Sequence, residues 1–429
     1  MVMRMRCLQQ RISASLRFVL GAGLSVCIMA VPASADLYGQ PTLVVDPGMH
    51  TTLFRGVDGD RDWKTFVTGS EDKTLRIWAM GDKPKLIKTI RMPSGPGNIG
   101  KIFSVAMSPD GQLIAAGGWA RWSQEDRQEQ IYIFNKKGSM IKRIGNLPNV
   151  TYSLDFSPNG RYLAIGMFGG EGIRVYDGKY GWAEVARDTE YTDTVYGISF
   201  SPDGRSLASS DYDGTVSLYD SGFQRIARRK LSQGRRPFRL AFNPSGNRIA
   251  VGLENKPLVA VLDSRNLEPL AFQDMKVVSN RNLMATAWSQ DGQTIYGGGT
   301  YSVGDHKPVV AWNGDRNRGV RRNLFSGALN TIFSIKALPN RELLVTSADP
   351  HLAIVGADGE ARWAKKPLRF DPRGQRYNFS VSADGTMVEF GFGYGGKDRF
   401  HFNLRDFQMV KTAAPRGSVA PPRQKGLDN

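Results

Sequence analysis

Apolar and polar residues alternate along most of the chain in runs of four to seven, the period of strands with one face buried. The clearest stretch is Asp193–Asp220, DTVYGISFSPDGRSLASSDYDGTVSLYD. VYGISF alternates and ends at Ser-Pro-Asp-Gly, where Pro202 presets φ and Gly204 accepts a positive one. RSLASS follows, then the Asp213-Gly214 turn, then TVSLYD. The pattern predicts three short strands joined by tight turns. A ribbon of this size cannot bury its own faces, so it needs neighbours of its own kind.

The neighbours are in the sequence. The turn recurs at Ser108–Gly111, Ser157–Gly160, Ser201–Gly204, Asn243–Gly246, Ser289–Gly292 and Ser382–Gly385, and degenerate copies fit at Asp62-Trp63 and Asn340-Arg341. The spacing between copies stays at about 40–50 residues, the period of a β-propeller whose blades are four-stranded sheets. Eight units follow: His50–Met92, Lys101–Ile144, Val150–Arg187, Asp193–Lys230, Pro237–Met275, Leu283–Phe325, Asn330–Pro367 and Tyr377–Thr412. The expected fold is all-β, a propeller of eight blades, or of seven if the first or last unit belongs elsewhere. Pro41–Asp46 is a candidate strand to close the ring or cover its start.

Two of the units, TGSEDKTLRIW (Thr68–Trp78) and SDYDGTVSLYD (Ser210–Asp220), resemble blades of the WD-repeat family. The resemblance implies that Asp72, Ser70 and Trp78 bond one another inside blade one. It implies the same of Asp213 in blade four, with Tyr219 where Trp is usual. The Gly-His dipeptide frequent in the family is missing, so the internal network is expected to be incomplete. IRMPSGPGNIGKIFSVAMSPDG, GWAEVARDTEY and the terminal PPRQKGL are similar to the propeller part of bacterial proteins that fuse WD repeats to a caspase-like peptidase, though this sequence carries no such domain.

Residues 1–35 read as an export signal. Arg4, Arg6, Arg11 and Arg17 precede or border the apolar run Phe18–Val31, and Ala33-Ser34-Ala35 is a small-x-small cleavage site. An uncleaved anchor and a lipoprotein, through Leu24–Cys27, are the alternatives. Residues 36–412 are then the propeller, and 413–429, with three prolines and no apolar period, a tail expected to be disordered. The two cysteines, Cys7 and Cys27, both lie in the signal, so a cleaved product has no disulfide, thiolate metal site or cysteine nucleophile. No transmembrane segment is expected after cleavage. The expected location is periplasmic or secreted.

Charge and motifs narrow the chemistry. The chain carries 57 basic and 40 acidic residues; without the signal the excess is +13. That favours anionic partners, including an envelope component, or merely solubility; an exported protein argues against nucleic acid. Basic runs at Arg225–Lys230 with Arg235-Arg236, and at Arg316, Arg318, Arg321 and Arg322, are expected in or near connections between blades. Gly95–Lys101 matches a phosphate-binding loop in letters, but Ile102 stands where a hydroxyl must meet magnesium. Gly391-x-Gly393-x-x-Gly396 lacks the βαβ setting of a dinucleotide fingerprint. No cofactor is expected.

His50, His306, His351 and His401 are scattered and form no metal-ligand pair, and Asp349 near His351 reads as a turn cap. The chain is therefore expected to be non-catalytic, a platform for a protein or peptide. A hydrolase or lyase site in the channel, or a regulatory role beside a separately encoded caspase-like peptidase, is the alternative. The candidate binding residues come from expanded turns between the second and third strands: Trp119, Arg121 and Trp122 in blade two, Tyr301, His306 and Lys307 in blade six, Tyr394 and Lys397 in blade eight. Loops on a rigid scaffold carry binding, and Trp with Arg is the composition of interface hot spots. Both tryptophans folding back onto their own blade is the competing reading.

Overall fold

The computed structural model describes residues 48–95, 97–121, 128–231, 236–274, 281–313, 321–349, 351–365, 379–391, 398–403 and 409–413. Residues 1–35, read from sequence as a leader, the candidate strand Pro41–Asp46, and residues 414–429 of the expected tail lie outside them. The described residues form eight four-stranded antiparallel sheets, each made of four consecutive strands. The inner strands are Phe54–Gly59, Ile102–Met107, Thr151–Phe156, Val195–Phe200, Pro237–Phe242, Ala285–Trp288 and Ile332–Ala337 in blades one to seven.

The ring closes at seven. Blade seven packs on blade one: Leu338, Leu344, Leu352 and Ile354 share one buried cluster with Phe54, Phe66 and Trp78. The Lys336 Nζ donates to Asp58 Oδ1 across the same joint at 2.9 Å. Hence the expected count of eight is corrected to seven, the open alternative. The repeat continues into an eighth sheet, Phe379–Val381, Met387–Gly391, Asp398–Asn403 and Met409–Ala413, but repeat number does not dictate closure. Closure is set by the wedge angle at which neighbouring blades pack, and here seven wedges fill the circle.

The recurring turn explains the regularity of each blade. In Ser-Pro-Asp-Gly the serine hydroxyl donates to the aspartate two residues on (Ser108 to Asp110, 2.5 Å; Ser201 to Asp203, 2.6 Å). The same hydroxyl accepts the backbone N–H five residues on, at 2.9 Å in both. The closing glycines have φ near +70° (Gly111 +67°, Gly204 +70°). In the degenerate copies Trp63 (+54°) and Arg341 (+61°) adopt the same left-handed conformation without being glycine. Such a residue costs about 1 kcal/mol, which the packing of the Trp63 ring against Gly59 helps to offset.

Blades are clasped to one another near the channel. Asp58 of blade one accepts Met107 N–H of blade two at 2.9 Å, and Asp155 of blade three accepts Phe200 N–H of blade four at 2.7 Å. Trp288 Nε1 donates to Ala241 O, from blade six to blade five, at 3.2 Å. Gly95–Lys101 leads into an inner strand, with no helix among its described residues to hold a phosphate. Arg225–Lys230 is the outer strand of blade four and not a connection: Arg225 pairs with Asp188 at 3.0 Å and with Glu190, and Arg229 pairs with Glu268. Arg321 and Arg322 open the outer strand of blade six; Arg235, Arg316 and Arg318 lie outside the described residues. No described helix is long and apolar enough to cross a membrane.

Candidate functional site: an aromatic collar at the channel mouth

Six of the seven inner strands start with a register shift against the second strand of their blade. The ladder steps from Phe54 to Gly56, Ile102 to Ser104, Thr151 to Ser153, Val195 to Gly197, Pro237 to Leu240 and Ile332 to Ser334. Such a bulge leaves one residue out of the ladder and re-aims its side chain. The residues freed are Arg55, Phe103, Tyr152, Tyr196, Phe238 with Arg239, and Phe333. Blade six pairs without a shift, and Met284 stands at its corresponding place.

These side chains meet around the mouth of the channel. Tyr196 stacks on Phe238 (4.3 Å between centroids) and meets Tyr152 edge-on (4.8 Å). Tyr152 leans on Phe103 at 5.1 Å. The Arg55 guanidinium bridges the remaining span, 5.3 Å from the Phe103 ring and 4.9 Å from that of Phe333. Two rings join from turns between second and third strands: Phe168, 5.9 Å from Tyr152, and Tyr212, 5.2 Å from Tyr196. The collar thus lies on the rim those turns occupy. Phe168 is 43% exposed, and Arg55, Phe103, Tyr152, Tyr196, Tyr212 and Phe333 are half-buried. Burial, then the neighbouring Tyr152 and Tyr212 phenols, pushes Tyr196 upward, so it stays neutral near pH 7.

Below the collar all seven inner strands line a cavity of about 290 Å³. Small residues (glycine, serine, alanine) and larger apolar side chains together make most of its wall, so the charged members stand out: Arg239, then Asp58, Asp155 and Lys336. Burial, and next the Asp58 charge, raises the Asp155 carboxyl to about 7 despite the Phe200 N–H and Lys336. Near the rim Glu71 accepts from Arg55 Nε at 2.7 Å and Lys101 Nζ at 3.0 Å; burial works against its ionised form, but those two cations hold the carboxyl low. Among the described residues no group of three or more His, Asp, Glu or Cys is placed to hold a metal.

The residues expected from sequence fall into four sets. Trp119 is half-buried, with Arg121 5.9 Å from its ring; Arg121 Nε donates to Glu129 Oε1 at 2.6 Å, so its charge is already engaged. His306 is exposed and Lys307 half-buried, at the start of the third strand of blade six. Tyr301 is a correction: it is 8% exposed and packs with Trp288, Ile295 and Trp312, because its loop turns the ring inward. Trp122, Tyr394 and Lys397 lie outside the described residues. Sequence reading missed the collar, although its signal is periodic: the frame of TYSL at Thr151 repeats as IFSV at Ile102, VYGI at Val195, PFRL at Pro237 and IFSI at Ile332. The aromatic in each reads as one more strand residue until the bulge is known.

Inside blade one the hydrogen bonds form a closed network. Trp78 Nε1 donates to Thr68 Oγ1 (2.9 Å), Thr68 meets His50 Nε2 (2.8 Å), and His50 Nδ1 meets Asp72 (3.0 Å). Two expectations are corrected here. The hydroxyl is Thr68, while Ser70 Oγ accepts the Asp72 N–H and meets Thr52. The network is complete, because His50 supplies the imidazole from a Met-His dipeptide. In blade four Tyr191 replaces the imidazole: its hydroxyl meets Ser209 at 2.5 Å and Tyr219 at 2.6 Å, while Asp213 accepts from Thr192 at 2.7 Å. With seven closed blades of four strands and a Trp-Thr-His-Asp network, the fold is decided.

The chain is an all-β, WD-repeat β-propeller of seven blades. The family model described as WD domain, G-beta repeat matches residues 50–79, 86–122 and 185–220 of this propeller. The last two matches begin in the outer strand of one blade and run into the next, so a sequence repeat bridges two blades. Small ribosomal subunit protein RACK1 of Caenorhabditis elegans is 29% identical over 111 residues, 26% of this chain and 29% of that protein. The guanine nucleotide-binding protein subunit beta of Oryza sativa subsp. indica is 31% identical over 109 residues, 25% of this chain and 27% of the relative. The chain therefore spans less than a third of either relative's length.

Proposed function

We propose that this propeller is a non-catalytic protein-interaction platform of the periplasm or cell envelope, docking a protein or peptide partner on the collared rim. The bulges are the observation that carries it. Six blades give up regular ladder pairing at the same place, and each turns a large side chain toward the channel mouth. A stability-driven ring has no use for a half-exposed belt of aromatics, whereas rigid aromatic anchors beside arginine supply contact area at little entropic cost. WD-repeat propellers typically act as such platforms. The location rests on the leader read in residues 1–35.

The test is affinity capture from the native envelope with the intact protein and its Tyr152→Ala/Tyr196→Ala variant. A partner kept by the first and lost by the second, with both equally folded, supports the reading. Equal capture by both removes the collar from it. For location, cell fractionation should place the protein outside the cytoplasm and shortened by the leader. The likeness to peptidase-fused propellers favours, as a second reading, a caspase-like partner on the same rim. Co-purification of that peptidase would distinguish it from other partners.

A further inference from the structure

One charge in the collar has no counterpart. Arg239 stands on the inner strand of blade five and reaches across the mouth to blade one, where its Nη2 donates to the Arg55 carbonyl at 2.9 Å. Its Nε–H is buried and has no acceptor. No described carboxylate pairs with it, and the charged group that bears on it is another cation, Arg55. Burial first, and that like charge second, lowers its pKa to about 10. The contrast with Arg55 is direct: Arg55 is satisfied by Glu71 and by two aromatic faces, and Arg239 by a single carbonyl. Arg239 as a whole is half-buried, but a cation whose Nε–H is buried without an acceptor and which no carboxylate balances is costly for a fold to hold. Arginine offers its N–H groups in a planar fork that fits a carboxylate.

Resting on the platform reading, we propose that the collar is a socket for a single carboxylate of an extended acidic peptide, with Arg239 as its floor and the Phe103–Tyr152–Tyr196–Phe238 rings as its wall. One uncompensated positive charge calls for one negative charge. The rings around it suit the methylenes of a glutamate or aspartate side chain and the apolar residues beside it. Glu71, already on the rim, counts against a multiply charged anion. The net positive charge of the whole chain draws acidic segments toward the mouth.

The experiment uses peptides selected from a random library on the intact protein. Each is resynthesised with every Asp changed to Asn and every Glu to Gln, one at a time. One acid per peptide should carry binding, and its amide should bind about tenfold to a hundredfold more weakly, the range of a charged hydrogen bond. Arg239→Met should lose as much, and on that variant the amide substitution should lose nothing further. Arg239→Lys should recover part of the affinity. Without peptide, Arg239→Met should melt no lower than wild type, since it removes a charge with no carboxylate partner and an Nε–H buried without an acceptor; a sharply lower melting point would make Arg239 a structural strut and overturn the socket. Peptides that bind without any essential acid, yet are lost on Tyr196→Ala, would overturn the socket and leave the platform standing. Failure to select any peptide would overturn both. Inorganic phosphate tested alone should stabilise the protein little; stabilisation by phosphate that equals that by peptide would mark a small-anion site and reject the peptide.

Discussion

Blades one and four do the same structural job with different chemistry. Each ties its third strand to the segment entering the blade through a buried chain of side chains. Blade one uses Trp78, Thr68, His50 and Asp72. Blade four uses Tyr219, Ser209 and Tyr191, and the Tyr219 hydroxyl donates to Asp188 Oδ2 at 2.8 Å. The packing demands a donor and an acceptor at set places, not particular residues. The difference lies in what each network does with protons. In blade one burial alone would raise Asp72, but the His50 charge and hydrogen bonds from His50, Thr74 and Thr51 bring it down to about 2. In blade four burial outweighs the bonds from Ser209 and Tyr219 and pushes Tyr191 up to about 12. One network is sensitive to acid and the other to base.

The largest effect should come from Trp78→Ala. The ring is fully buried and stacks on Phe66, so the change should cost about 3–5 kcal/mol in urea unfolding, a large fraction of the about 5–15 kcal/mol that holds an ordinary domain. Next is Asp72→Asn. A carboxyl depressed from 3.8 to about 2 contributes stability that is complete above about pH 4 and is lost as pH falls toward 2. That contribution is about 2 kcal/mol. The variant should lose it near pH 7 and show a flatter acid limb; an unchanged acid limb would move the acid sensitivity elsewhere.

Tyr191→Phe should cost about 1–2 kcal/mol at neutral pH, for two buried hydroxyl bonds. Its sign with pH is opposite. A phenol raised from 10.0 to about 12 holds its proton in the fold, so its stability is complete below pH 10 and falls as pH rises through 12. The variant should flatten the alkaline limb and leave the acid limb alone. Smallest is Thr192→Val, which removes an exposed bond to Asp213 and should cost no more than about 0.5 kcal/mol. A larger loss would show that Asp213 acts in blade four as Asp72 does in blade one, and the contrast would fail.

The blades were legible because turn chemistry is local. Ser-Pro-Asp-Gly states its own hydrogen bonds, and each of the eight ranges read from it takes in the strands of one four-stranded sheet, falling short of the outer strand's end by up to three residues in four of them. Blade count was not legible, since closure is a property of packing angles and no residue announces it. His50 was hidden by the Met before it, and Thr68 by the nearer Ser70. The expanded turns drew attention through exposed Trp, Arg and His, and structure shows Arg121 already paired and Tyr301 inward. The collar residues were visible as a repeat, but alternation assigns each residue to one face of a strand. Only the bulge breaks that rule, and it is written in the pairing of two strands rather than in either one.

The joint between blades seven and one has a thermodynamic character of its own. Among the described residues no strand from one end of the ring completes a blade at the other; each of their sheets is built from consecutive strands. Lys336 and Asp58 are 278 residues apart, whereas the equivalent clasp between blades one and two spans 49. Chain statistics make the longer closure roughly 1.5 kcal/mol more expensive in entropy, for contacts of the same kind. The seam is then the joint at which the circle opens first and zips last. A circular permutant that begins at blade four would move that weakness to a new place, with every contact in the ring kept.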